Sequence, residues 1–593
     1  MSYLPDHGGP SQYDKHPATP MPGGHSVWTG VEAWAEVARF AASRATAPVV
    51  VVDTYPGVEL PALAGAISSA LPEYEVVDVE AAAARPLEEI DALVERNVTD
   101  DRVFGVLSHH VLAEFYDPER LAALAQRVRA TARPTILVGW GASLVPVEPD
   151  CLVLADLARW EIQRRQRAGA PSWRRSNGDE DNLRKFKRGY FVEWRVADRH
   201  KRELFDRMDY LVDTNASVAQ AKLIEARTFH EGLRQTVARP FRVVPFFDPG
   251  PWGGQWMRDV CGLEPNQPNY AWCFDCVPEE NSLLLDVGGD LVELPSLDLV
   301  LHHPRELLGE RTFARFGAEF PIRFDFLDTM GGGNLSLQVH PLTDYIQSTF
   351  GMHYTQDESY YLLDAADDAV VYLGTRSGID PEAMVAELAA AEQGERSFPA
   401  EKYVTAFPAR KHDHFLIPAG TVHCSGANSM VLEISATPYI FTFKMWDWDR
   451  LGLDGRPRPI HLEHARRNIA WERTTEWVQD NLVGQVEIVA SGDGWVEERT
   501  GLHELEFIEV RRHWFDGPVP HDTHGTVNVL NLIEGPEAVV ESPTGAFPPF
   551  VVHYAETFIV PAQVGPYTIR PHGSGVGTRM GTVKASVRGT ELG

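Results

Sequence analysis

Four metal-ligating side chains set on strand-forming sequence constrain this chain more than any other feature. Gln338-Val339-His340 comes first, then Glu358, then Pro418-Ala419-Gly420-Thr421-Val422-His423. Residues at i and i+2 of a strand face the same side, so Gln338 and His340 are expected to point into one barrel. Glu358 lies where strand formers resume, in Glu358-Ser359-Tyr360-Tyr361-Leu362-Leu363. His423 follows a Pro-Ala-Gly turn after Phe415-Leu416-Ile417. Two imidazoles, one carboxylate and one amide oxygen suit a divalent ion such as zinc, with coordination room left for a substrate oxygen. A lone strand His is usually a satisfied core or surface group; four donors in ordered segments argue for a metal.

Leu335 to Pro341, the Glu358 strand, Pro418 to His423 and Val431 to Ile434 together resemble the type I mannose-6-phosphate isomerases. Trp252-Gly253-Gly254, Phe326-Leu327-Asp328, Asp447-Trp448-Asp449-Arg450 and His461-Leu462-Glu463 extend the likeness over roughly residues 240 to 593. The resemblance implies cupin-type β-barrels, one zinc ion held by Gln338, His340, Glu358 and His423, and an intramolecular oxidoreductase that interconverts mannose 6-phosphate and fructose 6-phosphate.

Such isomerisation needs a group to carry a proton between neighbouring carbons, an electrophile on the carbonyl, and cations for any phosphate. Lys444 and Glu433 are the candidates for proton handling. Glu433 reads equally well as a carboxylate that orients His423. Tyr360, Tyr361 and Trp446 are candidates for the sugar wall and equally for core packing. His302, His303, His353, His412 and His414 lack comparable spacing and are expected at the surface or behind the site. Cys424, next to His423, is expected to line the pocket rather than attack a substrate.

The family pattern carries a Lys where this chain has Gln356, a Lys where it has Asp325, and an Arg where it has Lys444. Arg and Lys are not equivalent for bidentate phosphate recognition, and Asp325 is expected to repel a phosphate. Arg323 and Lys411 stand nearby in sequence as substitutes. The metal centre thus reads as intact and the anion site as remodelled. The alternatives are an isomerase of a different or unphosphorylated sugar, and an inactive metal- and sugar-binding cupin with a regulatory or assembly role.

Ahead of this region the texture is different. Residues 1–30 read as an irregular lead-in. Helical periodicity over 31–45 precedes an apolar run from Ala47 to Asp53, then a second helix from Leu60 to Leu71. Val103 to Leu107, Thr135 to Trp140 and Cys151 to Leu154 read as further buried strands, giving a doubly wound α/β domain over 31–240. Tyr116 to Arg120 and Phe186 to Phe191 lend it a resemblance to nucleoside-kinase-like P-loop folds. The turn after the first strand, Asp53-Thr54-Tyr55-Pro56-Gly57, has neither GxxxxGK[ST] nor GxGxxG. A degenerate module is therefore expected, with a structural or homo-oligomerising role. The basic segment Arg164 to Arg202 is expected to be a solvated face paired with Asp and Glu.

From about 241 onward, short strands alternate with Pro-Gly turns, interrupted by a helical insert from Pro381 to Gln393. Asn281–Val287, Asp368–Leu373, Gly484–Val489, Leu505–Val510, Val527–Ile533 and Glu556–Ala562 are the expected strands. The fold class is thus multidomain: the α/β module, a metal-binding cupin over 241–475 and a second cupin-like domain without ligands over 476–593.

A formal charge of −30 over 593 residues argues against nucleic-acid binding, leaving a small-molecule sugar or sugar phosphate as partner. No run of about eighteen uncharged apolar residues offers a membrane span. The lead-in lacks a signal-peptide pattern, so a cytoplasmic location is expected. Five scattered cysteines do not make a disulfide framework, and Cys273-Phe274-Asp275-Cys276 reads as two partly buried thiols.

Overall fold

The structure is a computed structural model that describes residues 11–436, 441–501, 503 and 505–589. These fall into two compact units. One holds residues 18–235 and 282–302. The other holds the described residues up to Pro17, residues 236–281, and those from His303 onward.

The first unit is built on a sheet of five parallel strands. Across it run Glu75–Asp78, Thr135–Gly139, Val49–Thr54, Cys151–Asp156 and Tyr210–Asp213, continued by antiparallel Lys222–Glu225 and Val27–Thr29. Val50, Val51 and Val52 are almost completely buried, as expected where helices cover both faces of a parallel sheet. The helix Gly30–Ala42 packs Trp34, Val37 and Ala41 onto one face. By sequence the parallel strands are ordered 2-3-1-4-5. That is neither the 3-2-1-4-5-6 dinucleotide order nor the 2-1-3-4-5 flavodoxin-like order.

Three expectations are corrected in this unit. Val103 to Leu107 is irregular rather than a strand. Its backbone groups are taken by Asn97, whose carbonyl accepts from Val106 N at 2.8 Å and whose amide donates to Val106 O at 3.0 Å. The basic segment is only partly a solvated face. Arg164 and Arg165 pair with Glu161, but Lys185, Lys187, Arg188 and Lys201 are buried. Lys185 donates to Gln166 O and Gly178 O, and Lys201 is held between Asp156 at 2.9 Å and Asp298 at 2.6 Å. Finally, the hairpin Ser282–Val287 and Asp290–Pro295 belongs with this unit, because Ala18–Pro20 pairs with it in parallel.

The second unit contains two β sandwiches. In the first, one sheet runs His414–Ile417, Glu358–Ala365, Ser429–Ser435, Arg323–Asp328, Trp272–Cys276, Phe246–Asp248. The facing sheet runs Val404–Pro408, Val370–Thr375, His423–Ser425, Leu337–Val339, Phe443–Trp446. The helical insert is Pro381–Glu392, started by Asp380 accepting from Glu382 N and by Pro381 in the first turn. In the second sandwich a six-stranded sheet faces Val519–Asp522, Pro566–Pro571, Glu537–Glu541 and Phe550–His553. Phe515, Leu530, Leu532, Val540 and Phe558 fill its core.

Candidate metal centre

Glu358 opens its strand on one sheet of the first sandwich, while Gln338 and His423 are cross-strand partners on the other. His340 follows the Gln338 strand directly. The two sheets therefore aim the donors at one point. His340 Nε2 is 3.0 Å from Glu358 Oε2, and His423 Nε2 is 2.9 Å from Glu358 Oε1. All three side chains are buried, with ligand atoms within 4.8 Å of one another.

The tautomers are fixed by what lies behind each ring. His340 Nδ1 is 2.9 Å from the Phe441 carbonyl, and His423 Nδ1 is 2.8 Å from the Thr421 carbonyl. A carbonyl only accepts, so each Nδ1 carries the proton and each Nε2 presents a lone pair. Those lone pairs face carboxylate oxygens, which also carry lone pairs. Among the described residues His340 Nε2 and Glu358 Oε1 make no hydrogen bond. Such an arrangement calls for a cation between the groups. Gln338 lies beside them, its amide nitrogen 3.2 Å from His423 Nε2. A half-turn of that amide puts the oxygen in the same place.

The turn that carries His423 is braced from three sides. Gly420 adopts φ +91, and a Cβ there would meet Leu342 at 2.8 Å and the Asn468 carbonyl at 3.1 Å. Its N–H donates to the His340 carbonyl at 3.0 Å. Buried Arg473 donates to the Pro418 and Ala419 carbonyls and to Thr421 Oγ1. Asp357, beside Glu358, accepts from Ala419 N at 2.8 Å.

Behind Glu358 lies a charged network that the sequence reading did not assemble. Arg323, fully buried, donates to Asp325 at 2.9 Å and pairs with Glu433. Asp325 and Glu433 are opposed across neighbouring strands, which is why one guanidinium meets both. Asp325 thus neutralises Arg323 instead of repelling a ligand. Burial raises the Asp325 carboxyl to about 6 and the Glu433 carboxyl further, the latter helped by Asp325 and Glu358. Gln356 donates to Glu358 Oε2 at 2.8 Å and accepts from Phe441 N at 2.8 Å. Gln356 orients the carboxylate, and Glu433 reaches this system through Arg323 and Gln356, not through His423. Lys411 is engaged by Glu534 at 2.7 Å.

Lys444 is the direct cross-strand partner of Gln338, so both side chains leave the sheet on the face that carries His423. Tyr360 is fully buried with its ring 5.9 Å from that of His423, whereas Tyr361 bonds to Arg512 and His412. Cys424 is buried, and burial pushes its thiol far up, so it is a poor nucleophile. Cys273 and Cys276 are fully rather than partly buried. His414 is buried too, with Nδ1 donating to the Thr500 carbonyl. His302 lies in the α/β unit, 3.0 Å from His230. Among the described residues no helix is long and apolar enough to cross a membrane.

Residues 30–238 match a family model described as "Domain of unknown function (DUF8485)". The probable mannose-6-phosphate isomerase GmuF of Bacillus subtilis is 23% identical over 335 residues, covering 56% of this chain and 96% of that protein. Mannose-6-phosphate isomerase ManA of the same organism is 26% identical over 227 residues, covering 38% of this chain and 66% of that protein. A crystal structure of the mannose 6-phosphate isomerase from Bacillus subtilis aligns with 59% of this chain and 99% of its own, at 20% identity and TM-score 0.47. Over somewhat more than half its length, then, this chain is a relative of the mannose-6-phosphate isomerases.

Proposed function

We propose that the β-rich unit is a metal-dependent aldose–ketose isomerase acting on a hexose or hexose phosphate. His340, Glu358, His423 and the Gln338 oxygen would hold one divalent cation, and zinc suits that mixed donor set. The observation that carries the reading is the convergence of two Nε2 lone pairs on one buried carboxylate. A metal bound there supplies Lewis acidity toward a sugar carbonyl oxygen.

The chain's own residues supply the rest. Thr421 and Phe441 carbonyls hold the imidazoles in register, and Gln356 holds Glu358. Lys444 would move the proton between the two carbons, a role supported by its sharing a sheet face with Gln338 and His423. Glu433 is a positioning residue, because its carboxylate is committed to Arg323.

The relatives' names point to mannose 6-phosphate. A second reading, an unphosphorylated sugar, is favoured by Arg323 being taken up by Asp325 and Glu433, and by uncharged Gln356 serving Glu358. A coupled assay with mannose 6-phosphate, fructose 6-phosphate and free mannose, with and without chelator, separates the two. Turnover abolished by chelator and by His340→Ala supports the isomerase; turnover unaffected by both overturns it.

We read the α/β unit as a degenerate kinase-like module with an assembly role. In support, the carboxylates closing its parallel strands are satisfied internally. Asp53 accepts from Gly141 N and Ser143 N and meets His200 at 3.0 Å, while Asp156 meets Lys201. The second sandwich reads as a second cupin, supported by its two facing sheets.

A further inference from the structure

The second sandwich was expected to be without ligands, yet it contains a cavity of about 340 Å³ lined by ionisable groups. Glu497, Arg511, His513, His521, Asn528 and Lys584 are among its walls. His513 is 2% exposed and His521 7%. Both rings are fixed: His521 stacks on Tyr567 at 4.9 Å, and His513 meets His521 edge-on at 4.4 Å.

The charges inside are not balanced evenly. Glu497 is met by Arg511 at 3.0 Å and by His513 Nε2 at 3.3 Å. Asp522 also lines the cavity, 3.8 Å from His524 Nδ1. Partly buried Lys584, by contrast, has no carboxylate within 4.0 Å among the described residues. His513 Nδ1 and both nitrogens of His521 make no hydrogen bond among the described residues. A buried polar group without a partner is costly, and the cavity sets these unpartnered imidazole nitrogens beside an ammonium that no carboxylate pairs. A divalent cation fits poorly: Lys584 opposes it, and among the described residues these side chains do not bring three ligand atoms together as His340, Glu358 and His423 do.

We infer that the second sandwich binds a small oxyanion, the phosphate or carboxylate group of a metabolite, between its two sheets. Lys584 supplies the charge, and His521, neither of whose ring nitrogens is engaged, supplies a hydrogen-bond donor. Burial pulls the Lys584 ammonium down to about 8, which still leaves it mostly charged at neutral pH.

Calorimetric titration of the full chain with inorganic phosphate, and separately with acetate, tests the site. Saturable binding of at least one is expected. It should weaken about tenfold or more in Lys584→Met and persist in His340→Ala. The stronger of the two anions identifies the ligand class. No saturable binding of either, unchanged affinity in Lys584→Met, or loss in His340→Ala would each overturn the inference. If Lys584→Met fails to fold by circular dichroism, His521→Phe takes its place. Imidazole nitrogen NMR shifts of His521 on adding phosphate to the wild-type protein give a readout that needs no variant; their absence at saturation would also count against the site.

Discussion

His340 Nε2 stands 3.0 Å from Glu358 Oε2 while its Nδ1 proton is committed to the Phe441 carbonyl 2.9 Å away. His423 repeats the arrangement against the other carboxylate oxygen. Two lone pairs directed at one buried anion stabilise a cation and little else, and the account rests on that geometry.

Zinc should therefore stabilise the folded protein. Binding to the native state alone contributes RT ln(1 + [L]/Kd), about 2.7 kcal/mol at a hundredfold excess over Kd. Thermal melts of chelated protein with and without added zinc measure this. No rise in melting temperature would speak against a preformed site.

Asp325→Lys should destabilise the fold rather than build a phosphate site. Arg323 would lose one of its two carboxylates and face a second buried cation. Breaking a buried pair costs about 3–5 kcal/mol. Urea unfolding reports the loss; a variant as stable as wild type would mean that Asp325 does not neutralise Arg323.

Arg473→Met should loosen the His423 turn, since three acceptors in residues 418–421 lose their donor. Bonds from charged groups contribute about 1.5–3 kcal/mol each, partly recovered by relaxation. Stability should fall by about 2–4 kcal/mol. Metal affinity should fall with it, read by competition with a chromogenic chelator. Unchanged affinity would show that the turn holds its shape without Arg473.

His414 predicts a pH effect of definite sign. Burial lowers its imidazole to about 4, below the ordinary value of 6.5. Between those values the unfolded chain binds the proton and the folded chain does not. The stability it confers is complete above about 6.5 and is lost as pH falls toward 4. At pH 4.5 this amounts to about 2–3 kcal/mol. His414→Phe should therefore lose less stability than wild type between pH 7 and 4.5. Parallel curves would contradict the burial-driven shift.

The donor set was legible because it is local. Gln338 and His340 share a face by strand periodicity, and His423 is announced by the Gly420 turn, where a side chain would collide with Leu342. The groups behind it were not. Arg323 reaches Glu433 only through strand pairing between segments far apart in sequence. Gln356 looked like a lost cation because its spacing from Glu358 says nothing of which atom it touches. In the α/β unit the valine-rich strand at 49–54 was plain, whereas Val103 to Leu107 matched it in composition and was diverted by Asn97. His513 and His521 lie on different sheets of the second sandwich, and nothing local signals that their rings meet.

Metal content by inductively coupled plasma mass spectrometry tests the central claim most directly. Protein loaded with zinc and passed through a desalting column should retain about one ion per chain, and both His340→Ala and Glu358→Gln should retain almost none while keeping a wild-type circular dichroism spectrum. A wild-type protein that retains no zinc, or variants that retain as much as wild type, would contradict it.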